Sequence, residues 1–306
     1  MSGAKWVRVR RGLLCPVCGH PDYCTISVDG TTVHCQRVQS DRKCPGESGG
    51  WLHAHPEGTP PPVPEKRPVP RIKDVGALAR QMFEHKQAAR ARWELAMEWG
   101  VDRRVLESLL VGVGWDPHNG HRYLSFPSRD GDGRIVGITR RYPDGQKRTL
   151  AGTSNGGVFC AAGWWNSPGP VFVAEGASDV AVLLNAGLAA IGRPSNVGGS
   201  GVLASFLSRR AVGRRVIVLG ENDRKADRVG DVAHGCRLEC PGCIWCWPGK
   251  YGAESVAKRL AKWKPSIVFP PDGIKDVRAW SSVAQAFSVD LILLANGDKK
   301  LYPVSK

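Results

Sequence analysis

The feature that most constrains this chain is a series of short, continuously apolar runs after Pro170, namely VFVAE, LAAIG, RVIVLG and SIVFP, separated by stretches with helical spacing. Apolar runs without polar alternation belong to strands buried on both faces, and such strands occur in parallel sheets covered by crossover helices. The segments between them supply those helices: Ser178 to Ala186, around Val202 to Arg209, Gly252 to Trp263 and Asp276 to Phe287. Residues 168–306 are therefore expected to form a three-layer α/β domain around a parallel sheet.

The same pattern positions acids. Glu175 closes the first run and is followed by Gly176 and, one helical turn on, by Asp179; Glu221-Asn222-Asp223 follows RVIVLG; Asp272 and Asp276 follow SIVFP. In a parallel sheet the carboxyl ends of the strands share one edge, and ligands bind in the crevice outside it. The chain of 306 residues has 43 Lys and Arg against 28 Asp and Glu, a net +15, which suits a polyanionic partner. Carboxylates gathered at one edge of so basic a chain fit a divalent cation, Mg²⁺ or Mn²⁺, held by oxygen ligands and bridging the phosphates of an anionic substrate. The plainer alternative is a set of solvated loop acids.

Residues 1–57 form a different kind of unit. Cys15-Pro16-Val17-Cys18-Gly19 sets two thiolates on a tight turn, and TISVDGTTVHC is a hairpin that returns Cys35 to them. The fourth ligand is either Cys44, giving C-x2-C-x16-C-x8-C, or Cys24, giving a more compact set. A unit this small has too little core to fold unaided, so structural zinc is expected. Tyr23, Arg37, Arg42, Lys43 and Trp51 offer stacking and charge to single-stranded nucleic acid, or simply solubilise the unit. A proline-rich linker follows at 58–72.

Residues 73–167 begin with one or two amphipathic helices between Asp74 and Trp99, with Trp93 and Trp99 expected in the core, and a short helix near 102–110. The runs RYLSFPSR, RIVGITRRY and KRTL, separated by Asp-Gly turns, then form a basic antiparallel sheet bearing Arg140, Arg141, Lys147 and Arg148. A second cluster, Cys236-x3-Cys240-x2-Cys243-x2-Cys246, lies in an insertion at 224–248. It fits a zinc knuckle, an iron–sulfur cluster, no metal at all, or an apolar clip with Trp245 and Trp247. The glycine-rich segment 196–201 is expected to be a turn. The longest apolar runs are too short to cross a bilayer and no signal-peptide stretch opens the sequence, so an intracellular, non-secreted chain with metal-binding rather than disulfide cysteines is expected.

Glu175-Gly176-x-x-Asp179, then Glu221-x-Asp223, then Lys275-Asp276, each at a strand end in this order, resemble the TOPRIM domain. Preceded by a zinc unit and a basic mixed subdomain, they resemble bacterial and phage-type DNA primases, in particular short primase-like proteins of phages and mobile elements. The resemblance implies a zinc ribbon, a mixed α+β core and a TOPRIM sheet, and the synthesis of short RNA primers on single-stranded DNA from nucleoside triphosphates. It implies Glu175 as general base or metal-positioning acid, with Asp179, Glu221, Asp223 and Asp276 holding magnesium. Arg140, Arg141, Lys147, Arg148 and Lys275 would contact template or nucleotide phosphates. A separate replicative helicase acting in trans is expected, because no G-x-x-x-x-G-K-[ST] motif occurs. The setting would be the cytoplasm, at a nucleoid or in a phage-infected cell. Two departures stand out: Glu221 where the family has aspartate, and Val277-Arg278 where many relatives carry a further acid. The rival readings are a TOPRIM nuclease and a catalytically weak accessory protein that binds single strands.

Overall fold

A computed structural model describes residues 6–44, 50–56, 58–61, 71–117, 120–195, 198–231, 236–284 and 287–295. The chain divides into two compact units, residues 1–68 with 225–246, and residues 69–224 with 247–306. Most of the proline-rich linker, 62–70, lies outside the described residues, as do Asn196 and Val197 of the glycine-rich segment and 232–235 of the insertion.

In the first unit β1 (Trp6–Arg8), β2 (Thr25–Ser27), β3 (Thr32–Cys35) and β4 (Trp51–Ala54) form an antiparallel sheet in sequence order. The Asp29-Gly30 turn joins β2 to β3, with Asp29 Oδ1 accepting from the Thr31 backbone at 3.0 Å. Its core is small: Val9, Ile26 and Val33 pack with Cys15, Cys24 and Cys35. In the insertion, the Lys225 amide donates to the Cys246 carbonyl at 2.6 Å and closes the neck.

The second unit opens with α1 (Val75–Glu84), α2 (Ala88–Trp99) and α3 (Arg103–Ser108). Asp74 starts α1 by accepting from the Ala77 amide, and Gly100, in the left-handed region, ends α2 by donating back to Ala96. Trp99 is buried and stacks on Phe126, but Trp93 is exposed, contrary to the expectation that both lie in the core.

The strands β5 (Gly112–Asp116), β6 (His121–Arg129), β7 (Ile135–Arg141) and β8 (Lys147–Thr149) form an antiparallel meander. α1 covers one face, burying Ala79 and Met82 against Tyr123, Ile138 and Tyr142. β5 is not evident from the sequence because glycines 112 and 114 dilute its pattern. Both are needed for close approach: an added Cβ would lie 2.5 Å from the Met82 backbone at Gly112 and 2.4 Å from the Tyr123 ring at Gly114.

The remaining elements are β9 (Val171–Glu175), α4 (Gly176–Asn185), β10 (Ala189–Arg193), α5 (Ser200–Arg210), β11 (Val216–Leu219), α6 (Pro248–Arg259), β12 (Ser266–Val268), α7 (Val277–Val283) and α8 (Phe287–Ala295). The strands form the expected parallel sheet, in the order β10-β9-β11-β12. Val171, Phe172 and Val173 of β9 and all of β11 are buried, which explains their continuous apolar character. One large core joins this domain to α2, α3 and Phe126 of the meander, so the elements on either side of residue 168 share an interior. The helix expected over Asp276 to Phe287 is the shorter α7, and a further helix, α8, begins at Phe287. Among the described residues no helix is long and apolar enough to cross a membrane.

Candidate active site

Strand order dictates where a site can form. From β9 the chain turns to β10 on one side and then crosses to β11 on the other, so a crevice opens at the carboxyl ends beside β9. A cavity of about 510 Å³ lies there, and Glu175, Asp179, Glu221 and Asp276 line it. Glu175 is the last residue of β9, Asp179 sits in the first turn of α4, Glu221 is two residues beyond β11, and Asp276 caps α7 through Oδ1, 2.8 Å from the Ala279 amide. Arg141, Lys147, Arg148 and Lys275 line the same cavity, with the Lys275 ammonium 3.9 Å from Glu221 and 3.8 Å from Asp276.

Crowded, partly buried carboxylates hold their protons. Burial, then the Glu221 charge, pushes Glu175 from its ordinary value near 4.5 up to about 7, against the opposing pull of Arg193 and Lys147. Burial, then Asp276 and Glu221, raises Asp179 well above the usual carboxylate range, although the Arg278 amide donates to its Oδ1 at 3.3 Å. Glu221 is raised by burial, with Lys275 pulling the other way.

Asp223 and Arg140 lie elsewhere. Asp223 Oδ1 accepts from the Gly249 amide at 2.9 Å in the first turn of α6, and the residue does not line the cavity; its charge nonetheless raises both Glu175 and Glu221. Arg140 pairs with Asp116 at 3.1 Å on the face of the meander that α1 covers, beside Tyr123 and Tyr142. Side chains alternate along β7, so Thr139 and Arg141 reach the cavity while Arg140 points away from it. Asp272 is exposed in its loop.

Three further residues, Arg193, Glu98 and Gly249, shape the site without having been singled out in the sequence. Arg193, paired in register with Glu175 and 1% exposed, places a buried positive charge beside the acids. Glu98 holds Arg141 at 2.8 Å and approaches Arg278 at 3.9 Å, while the Arg141 guanidinium lies 5.3 Å from the Trp99 ring. Gly249 meets the loop after β11 so closely that a Cβ there would lie 2.4 Å from the Glu221 carbonyl oxygen. A lone arginine closing the apolar run LAAIG was the one visible sequence signal among these.

Among the described residues two groups of four cysteines have all their sulfurs within 4.8 Å of one another. The first is Cys15, Cys18, Cys24 and Cys35, so the compact alternative holds and Cys44 is not part of the cluster. The chain fixes this locally: the Val9 amide donates to the Cys24 carbonyl just ahead of β2, which brings Cys24 under the knuckle. The second is Cys236, Cys240, Cys243 and Cys246. Sulfur separations of 3.7 Å (Cys18 to Cys24), 3.9 Å (Cys24 to Cys35) and 3.6 Å (Cys243 to Cys246) match the edge of about 3.8 Å of a tetrahedron with zinc–sulfur bonds of about 2.3 Å. Burial drives the Cys24 thiol up and Cys246 up to about 12, whereas the Gly242 amide helps lower Cys240 to about 7. Both clusters fit zinc, which replaces those thiol protons.

No protein-family model matches the sequence, and no curated protein matches it. Among solved structures, the fold is similar to the primase fragment of the bacteriophage T7 primase-helicase protein, at 16% identity and TM-score 0.42, covering 96% of each chain. It is also similar to a DnaG primase catalytic domain bound to single-stranded DNA (16% identity, TM-score 0.49, 71% of this chain and 76% of that one). The zinc-binding and RNA polymerase domains of the Aquifex aeolicus primase are a third such structure (14% identity, TM-score 0.48, 68% and 56%). The fold described above, an α/β chain with a parallel sheet, a basic antiparallel meander and a four-cysteine ribbon, is similar to these solved bacterial and phage primases.

Proposed function

We propose that this chain is a TOPRIM-type primase that joins nucleoside triphosphates into short RNA primers on a single-stranded DNA template. What carries this reading is the meeting of Glu175, Asp179, Glu221 and Asp276 in one cavity that Arg141, Lys147, Arg148 and Lys275 also line. Carboxylates take a hard divalent cation and guanidinium and ammonium groups take phosphate, so a cavity holding both suits a substrate that arrives as a metal–phosphate complex. The raised proton affinity of Glu175, Asp179 and Glu221 fits this donor set, since a divalent cation relieves the repulsion that a proton otherwise relieves.

Glu175, Asp179, Glu221 and Asp276 would hold magnesium or manganese, with Asp223 contributing charge from its position at α6. Held there, a divalent cation would supply positive charge to offset the charge that develops during attack on an α-phosphate and on the leaving pyrophosphate. Glu175, at the end of β9 and on the cavity wall, would serve as the base that takes the proton of the attacking 3′ hydroxyl or as the acid that positions the metal. Lys147 and Arg148 bind the triphosphate, and Arg141, braced by Glu98 and Trp99, offers a pre-oriented guanidinium to the template backbone. In the zinc ribbon, the exposed ring of Tyr23, flanked by Arg8 at 5.9 Å and Arg37 at 5.6 Å, stacks on a template base. Unwinding falls to a separate helicase, and the reaction belongs in the cytoplasm.

The test is to incubate the protein with single-stranded DNA, labelled ribonucleotides and Mg²⁺ and resolve the products. Short oligoribonucleotides are expected. Shortened DNA would favour a nuclease, and retention of DNA without products an accessory role. Glu175→Gln should abolish product while leaving DNA retention intact.

A further inference from the structure

The acid cavity is not the only basic concavity in the second unit. A cleft of about 980 Å³ is lined by Arg71, Lys73, Arg80, Arg129 and Arg134. The one acid lining it, Asp74, already accepts from the Ala77 amide at 2.7 Å as the cap of α1. Among the described residues none of the five cations forms an ion pair.

Three of these positions are fixed by hydrogen bonds to the backbone. Arg129 donates through Nη1 to the Gly133 carbonyl at 2.9 Å and through Nε to the Cys160 carbonyl at 3.4 Å, so its charge is anchored without being neutralised. The Ile72 amide donates to the Gly152 carbonyl at 3.1 Å, which fastens Arg71 and Lys73 against the turn after β8. Like charges held around one concavity repel, and a polyanion relieves that repulsion. Among the described residues the wall contains aliphatic side chains such as Ile135 and Val136 but no aromatic ring, so it offers no platform for a base.

The cleft is separate from the acid cavity. It lies beside α1, which packs against Ile138 and Tyr142, whereas the acid cavity is bordered by Thr139 and Arg141, whose side chains leave β7 on the opposite face. Along β7 the nearest bordering residues, Val136 of the cleft and Thr139 of the cavity, are about 10 Å apart, and the two linings adjoin at Ser154 and Asn155.

We propose that this cleft is a second nucleic-acid site, which grips the phosphodiester backbone of a single strand without reading its bases. Phosphate is the chemistry it recognises; the lack of a stacking surface assigns that phosphate to a strand rather than to a free nucleotide. The inference rests on the nucleic-acid template proposed above and adds a holding point away from the reacting groups. Such a point keeps a long template attached while the acid cavity handles its first few nucleotides.

The experiment measures fluorescence anisotropy of a labelled 30-nucleotide single strand, a labelled 5-nucleotide strand and labelled ATP with the full chain across a salt series. The triple variant K73A/R80A/R134A alters only exposed side chains. A control triple, R104A/K258A/K262A, removes the same charge elsewhere on the second unit. The cleft variant should bind the 30-mer about tenfold more weakly at 100 mM salt, and its salt slope should fall by about 2, because each single-strand phosphate contact contributes about 0.7. Its affinity for the 5-mer and for ATP should match wild type, and R80K/R134K should retain the 30-mer affinity, since charge alone is needed. The single variant R134E should weaken 30-mer binding in the same direction. Equal losses in the cleft and control triples overturn the cleft, and so does a loss confined to ATP, which would make it a nucleotide site. Failure of the wild-type chain to bind any strand would instead remove the template reading on which the cleft depends.

Discussion

Replacing Glu175 with glutamine should stabilise the magnesium-free protein by an amount that grows as the pH rises from about 4.5 to about 7. Burial and the neighbouring Glu221 charge raise the Glu175 pKa from about 4.5 to about 7, so the folded chain binds this proton more tightly than the unfolded one. The stabilisation from that proton is complete below about pH 4.5 and is lost as pH rises through 7. At about 1.4 kcal/mol for each tenfold change in proton affinity, ionised Glu175 costs the fold on the order of 3 kcal/mol at pH 8, reduced to about 2 kcal/mol by salt and solvent in an open cavity. Glutamine keeps the shape and removes the charge. In Mg²⁺-free buffer that leaves the zinc in place, Glu175→Gln should therefore melt about 5 °C above its parent at pH 8, and the two should coincide near pH 4.5. Magnesium should invert the order at pH 8, raising the parent's melting temperature and leaving the variant's nearly unchanged. Calorimetry at the two pH values, with and without Mg²⁺, reads all of this. A variant that melts at or below its parent at pH 8 without Mg²⁺, or a difference that does not depend on pH, would refute the crowded-carboxylate account.

Elemental analysis should find two zinc ions per chain in the wild type, one in Cys24→Ser or Cys240→Ser, and two in Cys44→Ser. Shortening the second acid by Glu221→Asp should remove most of the Mg²⁺-induced rise in melting temperature. Asp223→Asn should keep most of that rise while costing about 1 kcal/mol through the weakened hold on α6. Gly114→Ala, which drives a Cβ to 2.4 Å from the Tyr123 ring, should cost about 1–3 kcal/mol in denaturant unfolding.

The parallel sheet was legible because its strands are buried on both faces, and a strand with no polar side has nothing to alternate. The same property exposes their ends: the first charge after VFVA is Glu175, and the first after VIVLG is Glu221, so the cavity's acids could be read directly from where the apolar runs stop. The phase of the meander was harder. Alternation says that Arg140 and Arg141 point opposite ways, but which of them meets the acids depends on which face α1 covers, a tertiary fact that the local pattern does not contain. The tryptophans of α2 are a different case. Six residues at about 100° each place Trp93 and Trp99 some 240° apart around the helix, so a single buried stripe holds only one of them, and that much was available from the sequence. Cys24 and Cys44 both have workable spacing to Cys35, and only the hydrogen bond from Val9 that brings Cys24 under the knuckle separates them.

Glutamate at 221 fits the way the loop after β11 is held. The Gly220 amide donates to the Val268 carbonyl at 2.9 Å and the Asn222 amide to the Lys275 carbonyl at 2.7 Å, so the backbone on both sides of Glu221 is tied to the neighbouring segment. α6 fastens the same loop from the other direction: Trp247 Nε1 donates to the Glu221 carbonyl at 3.3 Å, and the Gly249 amide takes an oxygen of Asp223. With its backbone anchored and Asp223 engaged by the helix, this loop reaches the cavity through the side chain at 221, and the extra methylene of glutamate supplies the reach. The carboxylate comes within 3.9 Å of Lys275 and close enough to Glu175 to raise its proton affinity. Glutamate at 221 therefore goes together with a tight α6 contact that requires glycine at 249, and the two features describe one geometry in which the acid after β11 lines the same cavity as the acid that ends β9.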